Sequence, residues 1–223
     1  MALNRADWPQ YEVAARECWV VGLDVGQSVD PSALCALQHV VTPGEWVCDD
    51  VNRCWRQGKI ERFLVRHLER LPLQMPYPEQ ISHVANLLSR DPLKRAKFAL
   101  DYTGCGRPVA DCFSRAGLKP YKILITAGNE CTSNGMQFNV PKQYLCSALE
   151  SRLHSQELKI APELMEAPVL KDELRDFTRK VSESERATFN ARAGRHDDLI
   201  LSICIALHIA CNRSRSSRVP LGL

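Results

Sequence analysis

The chain has 223 residues, and its 29 Lys and Arg against 26 Asp and Glu give a formal net charge of +3. This length fits one domain with appendages and excludes a large multidomain machine. The 45% hydrophobic and 25% charged residues match ordinary globular proteins and exclude global disorder. No apolar run reaches the roughly 20 residues of a membrane span, and residues 1–10 lack the apolar stretch of a signal peptide. We therefore expect a soluble, cytoplasmic protein with no membrane partner.

Ten cysteines are scattered along the chain, and no two of them form a Cys-x-x-Cys pair. A structural zinc site usually takes two ligands from such a pair, so the spacing argues against one. Several cysteines, such as Cys35 and Cys204, lie in apolar segments, where a reduced thiol acts as a small hydrophobic side chain. We expect free thiols in a reducing compartment.

The N-terminal half is predicted to begin with strands. Residues 18–24 form a short apolar run that ends in a turn, which is typical of a buried strand. Residues 33–41 predict a second strand, ended by Pro43-Gly44, and residues 45–52 and 60–68 are interpreted as a third strand with an excursion. Apolar residues at helical spacing then predict a helix over residues 78–90.

The C-terminal half continues with alternating elements. Residues 97–101, 108–116 and 121–126 predict a strand, a helix and a strand, which is the order of a parallel crossover unit. Residues 127–140 contain Gly128, Asn134 and Gly135 and predict a loop or hairpin. Helices are predicted over residues 141–154, 169–180 and 197–211, with room for one more strand in 181–193. The last helix is apolar around most of its circumference and is therefore expected to be buried.

Acidic residues stand at the ends of three of these apolar elements. Asp24 and Asp101 each end a strand, and Asp197 and Asp198 open the last helix. Singly, such residues are often turn formers or helix caps. Together, at the carboxyl edge of a parallel sheet, they would repel one another and favour a bound cation. Magnesium prefers such oxygen ligands, and two ions can promote phosphodiester cleavage.

The segments around these carboxylates resemble a known family. Residues 21–26 (Val-Gly-Leu-Asp-Val-Gly), 98–106 (Phe-Ala-Leu-Asp-Tyr-Thr-Gly-Cys-Gly) and 194–202 (Gly-Arg-His-Asp-Asp-Leu-Ile-Leu-Ser) look like three motifs of the ribonuclease H-like nuclease domain of phage terminase large subunits. Shorter segments, among them Glu173-Leu-x-x-Phe177, are similar to that family's spacing elements. The resemblance covers roughly residues 18–210, and the third motif is the most specific.

This resemblance implies an α/β fold, with a ribonuclease H-like mixed sheet of five or slightly more strands and helices on both faces. It implies residues 1–15 as an N-terminal segment, 16–212 as the nuclease domain and 213–223 as a basic flexible tail. The implied activity is metal-dependent hydrolysis of double-stranded DNA in phage genome processing, in a bacterial or phage-infected cell. The implied ligands of two Mg²⁺ or Mn²⁺ ions are Asp24, Asp101, Asp198 and Asp197, with His196 as a possible auxiliary residue.

Basic residues near the motifs are candidates for DNA contacts. Arg195 adjoins the implied metal site, Arg192 precedes it, and Lys142 follows Pro141 at a predicted helix start. Such side chains would contact the phosphate backbone without regard to base sequence. A solvated surface accounts for them equally well, because the net charge is only +3.

One departure from the family concerns its ATPase motor, which needs a Gly-x-x-x-x-Gly-Lys-Ser/Thr phosphate loop. These 223 residues contain none, so we expect either a separate packaging ATPase and other phage packaging proteins as partners, or an isolated nuclease. A Holliday-junction resolvase of the RuvC type and a non-catalytic DNA-binding or assembly protein remain as alternatives. An actin-like or sugar-kinase ATPase fits poorly, because it needs two such domains and a second phosphate loop.

Overall fold

The computed structural model describes residues 5–26, 30–176, 178–181, 187–190 and 197–212. Its strands and longer helices are, in chain order, β1 (Gln10–Tyr11), β2 (Arg16–Asp24), β3 (Ala33–Asp49), β4 (Cys54–Arg70), α1 (Tyr77–Leu88), β5 (Lys97–Asp101), α2 (Gly106–Arg115), β6 (Tyr121–Thr126), β7 (Thr132–Asn134), β8 (Gln137–Pro141), α3 (Lys142–His154), β9 (Leu158–Ile160), α4 (Ala167–Asp176), β10 (Thr178–Val181), β11 (Ala187–Asn190) and α5 (Asp198–Asn212).

Within the described residues, nine strands form one mixed sheet in the order β1-β4-β3-β2-β5-β6-β8-β7, and β9 also pairs with β4. The long strand β3 is antiparallel to both of its neighbours, β2 and β4, whereas β5, β6 and β8 continue the sheet parallel to β2. The predicted mixed α/β sheet is therefore confirmed. It is larger than the predicted five strands, because six strands form its main part and the short strands β1, β7 and β9 add to it.

Two hydrophobic cores lie on opposite faces of this sheet. Side chains alternate between the two faces along a strand, so Val20 packs into one core and Val21 into the other. The first core lies beneath α3, α4 and α5, and the second beneath α1 and α2. Helices on both faces, as predicted, thus bury both surfaces of the central strands.

The prediction that Pro43-Gly44 ends the second strand is wrong, because β3 continues to Asp49. The pairing of β3 with β4 shifts register between Pro43 and Trp46, and such a bulge accommodates a proline that has no N–H to donate. Gly44 lies against Gly58 of β4, where an added Cβ would be 3.1 Å from the Gly58 carbonyl oxygen. Residues 45–49 therefore belong to β3, which is the second predicted strand. The third predicted strand is β4, and it begins at Cys54.

One prediction for the C-terminal half also differs from the structure. The helix predicted over residues 169–180 ends at Asp176, and residues 178–181 instead pair as β10 with β11. The loop or hairpin predicted over residues 127–140 is a hairpin of β7 and β8, and β8 extends the main sheet beside β6. Residues 213–223, predicted as a basic tail, lie outside the described residues.

Helix α5 lies in the middle of one core, with every residue from Asp198 to Ala210 buried. This confirms the prediction from its apolar circumference. All ten cysteines are free thiols. Within the described residues, no helix is long and apolar enough to span a membrane.

Candidate active site

Asp24 and Asp101 lie side by side at the carboxyl edge of the sheet. Strand β2 pairs in parallel with β5, and the last pair in register is Leu23 with Leu100. Asp24 and Asp101 are the next residues on the two strands. Because side chains alternate along a strand, both carboxylates project to the face on which α5 packs, the face shared by Val20 and Ala99. The register of β2 and β5 thus places the two carboxylates next to each other, as predicted.

Helix α5 brings Asp197 and Asp198 to the same place. It crosses β2 so closely that a Cβ on Gly22 would lie 2.3 Å from the Ser202 carbonyl oxygen and 2.8 Å from the Ala206 nitrogen. Gly22 is two residues before Asp24 on the same face, and Ser202 is one helical turn after Asp198. The absence of a side chain at Gly22 thus allows the start of α5 to reach the end of β2.

The charges of these carboxylates act on one another. The pKa of Asp24 is raised well above its usual value, mainly by burial and then by the neighbouring charges of Asp101, Asp198 and Asp197, while Lys142 opposes the shift. Burial also raises the pKa of Asp101, against hydrogen bonding from Thr103, whose N–H donates to Asp101 Oδ1 at 2.8 Å. The other three carboxylates therefore lie within electrostatic reach of Asp24.

Lys142 supplies positive charge at this edge. It is the first residue of α3, directly after β8, and its Nζ lies 2.7 Å from Asp197 Oδ2. The sequence analysis predicts Lys142 as a DNA contact. In the structure its amino group lies against the carboxylate of Asp197 in the candidate site. Its positive charge offsets part of the mutual repulsion of the acidic side chains.

Sequence reasoning did not identify Arg70 and Glu173 as residues of this site. Arg70, the last residue of β4, forms an ion pair with Glu173 of α4, and its Nε lies 3.9 Å from Asp198 Oδ2. Burial raises the pKa of Glu173 to about 7, with Arg70 acting in the opposite direction. Glu173 had a signal in the Glu-Leu-x-x-Phe segment, whereas nothing around Arg70 in the sequence marks it.

Three predicted residues, His196, Arg195 and Arg192, lie outside the described residues. Their assignment as an auxiliary residue and as DNA contacts therefore stays a prediction. The remaining predicted residues, which are Asp24, Asp101, Asp197, Asp198 and Lys142, all meet at one edge of the sheet.

The chemistry of the acidic cluster fits a hard divalent cation, because carboxylate oxygens are the ligands that Mg²⁺ and Mn²⁺ prefer. The pKa of Asp24 is raised first by burial and then by three neighbouring carboxylates, and a bound cation would oppose both effects by stabilising the ionised carboxylate. Within the described part of the chain, however, no three His, Cys, Asp or Glu side chains are already arranged as a set of ligands. The donor types and charge fit the ion, and the side chains would have to adjust to bind it.

The sheet order and the two layers of helices define a ribonuclease H-like α/β fold, the fold of phage large terminase nuclease domains. The structure of the large terminase nuclease from thermophilic phage G20c with bound magnesium aligns with a TM-score of 0.56 and 18% identity, covering 89% of this chain and 84% of that chain. The same nuclease with bound cobalt aligns with a TM-score of 0.56 and 18% identity, covering 90% and 91%.

The large terminase nuclease domain of Thermus phage P74-26 aligns with a TM-score of 0.55 and 17% identity, covering 89% of this chain and 88% of that chain. No protein-family model matches the sequence, and no curated protein matches it. The predicted resemblance to terminase nuclease domains is thus confirmed for the fold. These alignments cover the nuclease domain alone, without an ATPase domain.

Proposed function

We propose that this protein is a metal-dependent DNA endonuclease that acts in phage genome processing and packaging as a terminase-type nuclease. The observation that carries the proposal is the meeting of Asp24, Asp101, Asp197 and Asp198 at the carboxyl edge of the sheet. The fold shared with terminase nuclease domains supports it, and so do the magnesium and cobalt bound by the G20c nuclease.

In this proposal the four aspartates hold two Mg²⁺ or Mn²⁺ ions. Bound there, the ions would supply an activated water and stabilise the charge that develops on the leaving oxygen of a phosphodiester. The protein's own contribution is to hold the carboxylates on rigid elements, two on strand ends and two at a helix start. Lys142 holds Asp197 by its ion pair, and the N–H of Thr103 holds Asp101.

The proposed substrate is double-stranded DNA, approached through its phosphate backbone. Lys142 stands among the acidic residues, where its amino group can meet a phosphate as well as Asp197. Arg192 and Arg195 are proposed as further phosphate contacts because they precede Asp197 closely in the chain. Contacts of this kind bind DNA irrespective of sequence and weaken as salt concentration rises.

The remaining parts of the proposal concern the cellular setting. We place the nuclease domain at residues 16–212, after an N-terminal segment 1–15 and before a basic tail 213–223. A separate packaging ATPase and other phage packaging proteins are the proposed partners. The proposed location is the cytoplasm of an infected bacterial cell, where concatemeric phage DNA would be cut.

The test is cleavage of supercoiled plasmid by the purified chain in Mg²⁺, in Mn²⁺ and in EDTA. We expect nicking in either metal, none in EDTA, and loss of nicking in Asp24→Asn and Asp198→Asn. Asp172→Asn is the matched control, because Asp172 is an exposed carboxylate of α4 that pairs only with Arg175 among the ion pairs of the described residues. This variant should cut like the wild type.

Other results would favour the alternatives. Cleavage of four-way junctions in preference to plasmid would indicate a RuvC-type resolvase. DNA binding without cleavage in any metal, and unchanged by Asp24→Asn, would indicate a binding or assembly protein that retains the fold. Equal cleavage by wild type and both site variants would reject the assignment of these carboxylates.

A further inference from the structure

Arg70, Ala33 and Asp24 form one row across three strands. Asp24 of β2 pairs with Ala33 of β3, and Ala33 pairs with Arg70 of β4. Paired residues of antiparallel strands project to the same face, so Arg70 points to the α5 face, as Asp24 does. The small side chain of Ala33 lies between them. Arg70 thus reaches the candidate site from the strand two positions away from β2.

The guanidinium of Arg70 meets two carboxylates from two different helices. It forms an ion pair with Glu173 of α4, and its Nε lies 3.9 Å from Oδ2 of Asp198 on α5. The Arg70 side chain is 25% exposed and that of Glu173 only 6%. A buried carboxylate of this kind is costly without a charged partner, so each member of the pair needs the other.

Glu173 also holds the first turn of α5. Its Oε1 accepts from Arg70, and its Oε2 accepts a hydrogen bond from the backbone N–H of Ile200 at 3.2 Å. The first N–H groups of a helix have no acceptor within the helix, so Glu173 supplies one from a neighbouring helix. Its negative charge at the start of α5 is also favourable for the helix dipole. Ile200 is two residues after Asp198, so this bond restrains the turn that carries the carboxylate.

We propose that Arg70 and Glu173 are positioning residues, which fix the start of α5 and thereby hold Asp198 toward Asp24 and Asp101. The expected effect on DNA cleavage rests on the proposed nuclease function. The restraint of the start of α5 by Arg70 and Glu173 does not depend on that function. Arg70 ties the edge of the sheet to α4, and Glu173 ties α4 to the first turn of α5. Neither side chain needs to touch DNA or a metal ion in this role.

The structural part is tested by amide hydrogen exchange in the metal-free protein. Glu173→Ala removes the acceptor of the Ile200 N–H, so exchange at Ile200 should become at least about tenfold faster than in the wild type. Glu173→Gln keeps an oxygen acceptor, so it should protect this amide better than Glu173→Ala does. Exchange in the later turns of α5, such as at Ile205, should change little in either variant. Unchanged exchange at Ile200 in Glu173→Ala would overturn the inference whether or not the protein cuts DNA.

The catalytic part is tested with Arg70→Met and Arg70→Lys. Loss of a residue that orients a metal ligand typically lowers metal affinity or activity about 10–100-fold. We therefore expect Arg70→Met to lower kcat by this factor and to raise the Mg²⁺ concentration for half-maximal cleavage, with KM for DNA within about twofold. Arg70→Lys keeps the charge and should recover part of kcat.

Arg152→Met is the matched control. Arg152 pairs with Glu157 at an exposure of 24%, close to that of Arg70, and this pair joins the end of α3 to the residue before β9. We expect Arg152→Met to leave kcat and the Mg²⁺ concentration for half-maximal cleavage unchanged. If the wild type cuts DNA and Arg70→Met cuts equally well at the same Mg²⁺ concentration, the positioning role is wrong and the nuclease proposal stands. If the wild type never cuts, the nuclease proposal fails and the exchange result decides the positioning role.

Discussion

Gly22 of β2 and Ser202 of α5 are in backbone contact, since a Cβ on Gly22 would lie 2.3 Å from the Ser202 carbonyl oxygen. The contact involves backbone atoms, which cannot move aside as the end of a flexible side chain can. Gly22→Ala should therefore push α5 away from β2 and lower the free energy of unfolding by about 1–3 kcal/mol, the usual cost of overpacking a core. Urea denaturation measures the change.

Gly128→Ala is the control for removing a glycine. An added Cβ there would meet only Thr126 Oγ1, at 3.9 Å, which is an ordinary contact. Its effect should stay within about 0.5 kcal/mol. Equal stability of Gly22→Ala and Gly128→Ala would show that α5 does not pack as closely on β2 as described.

The electrostatics of Asp24 predict that its neutralisation stabilises the protein. Its pKa is raised by burial and by three neighbouring carboxylates, so the folded protein binds its proton more tightly than the unfolded chain. The free energy of unfolding should therefore fall as pH rises above the usual value of 3.8 toward the raised pKa. Asp24→Asn removes this loss of stability at higher pH. Its free energy of unfolding should therefore exceed that of the wild type by about 0.5–2 kcal/mol at pH 7 in EDTA.

Thermal unfolding between pH 4 and pH 8 measures the effect, with a shift of about 2–4 °C expected for each kcal/mol in a chain of this size. Asp172→Asn removes an exposed carboxylate and should leave the pH dependence as in the wild type. A loss of stability in Asp24→Asn at pH 7 would contradict the proposed repulsion among the four carboxylates.

Divalent cations should stabilise the folded protein without any DNA present. A ligand that binds only the folded state at a concentration of 100 Kd adds about 2.7 kcal/mol. We expect Mg²⁺ or Mn²⁺ to raise Tm in the wild type, and to raise it much less in Asp101→Asn, because one carboxylate of the cluster is lost. NaCl at the same ionic strength is the control, and an equal rise with NaCl would mean screening of the acidic residues rather than binding.

His208 predicts a separate loss of stability in acid. Burial lowers its pKa to about 4, and its Nε2 lies 2.7 Å from Asn212 Nδ2, where a neutral ring nitrogen accepts from the amide. The unfolded chain therefore binds a proton that the folded protein does not between about pH 6.5 and pH 4. Stability should fall as pH drops through this window, and His208→Gln should make the fall shallower.

NMR titration of His208 checks the same point directly, with a midpoint near pH 4 expected. His154→Gln is the control, because His154 is an exposed residue at the end of α3. A midpoint near pH 6.5 for His208, or the same acid sensitivity in His208→Gln as in the wild type, would show that this ring is not buried.

Local sequence determined the elements that carry the acidic residues. The apolar runs before Asp24 and Asp101 predicted β2 and β5 with the correct C-terminal ends, and the apolar circumference after Asp198 predicted the buried helix α5. These predictions succeed because the spacing of apolar residues reports burial along a single element, which depends on neighbours in the chain. The resemblance of the motifs then indicated that the three segments belong to one site.

Only the tertiary structure decided which other residues join them. Arg70 and Glu173 are 103 positions apart, and they meet because β4 pairs with β3 in one register and α4 packs beside α5. The continuation of β3 through Pro43 likewise depends on its bulged pairing with β4. Register and helix packing arise from contacts between distant segments, and the periodicity of one segment does not specify its partner. The carboxylates could therefore be predicted from the sequence, whereas the residues proposed to hold them in place could not.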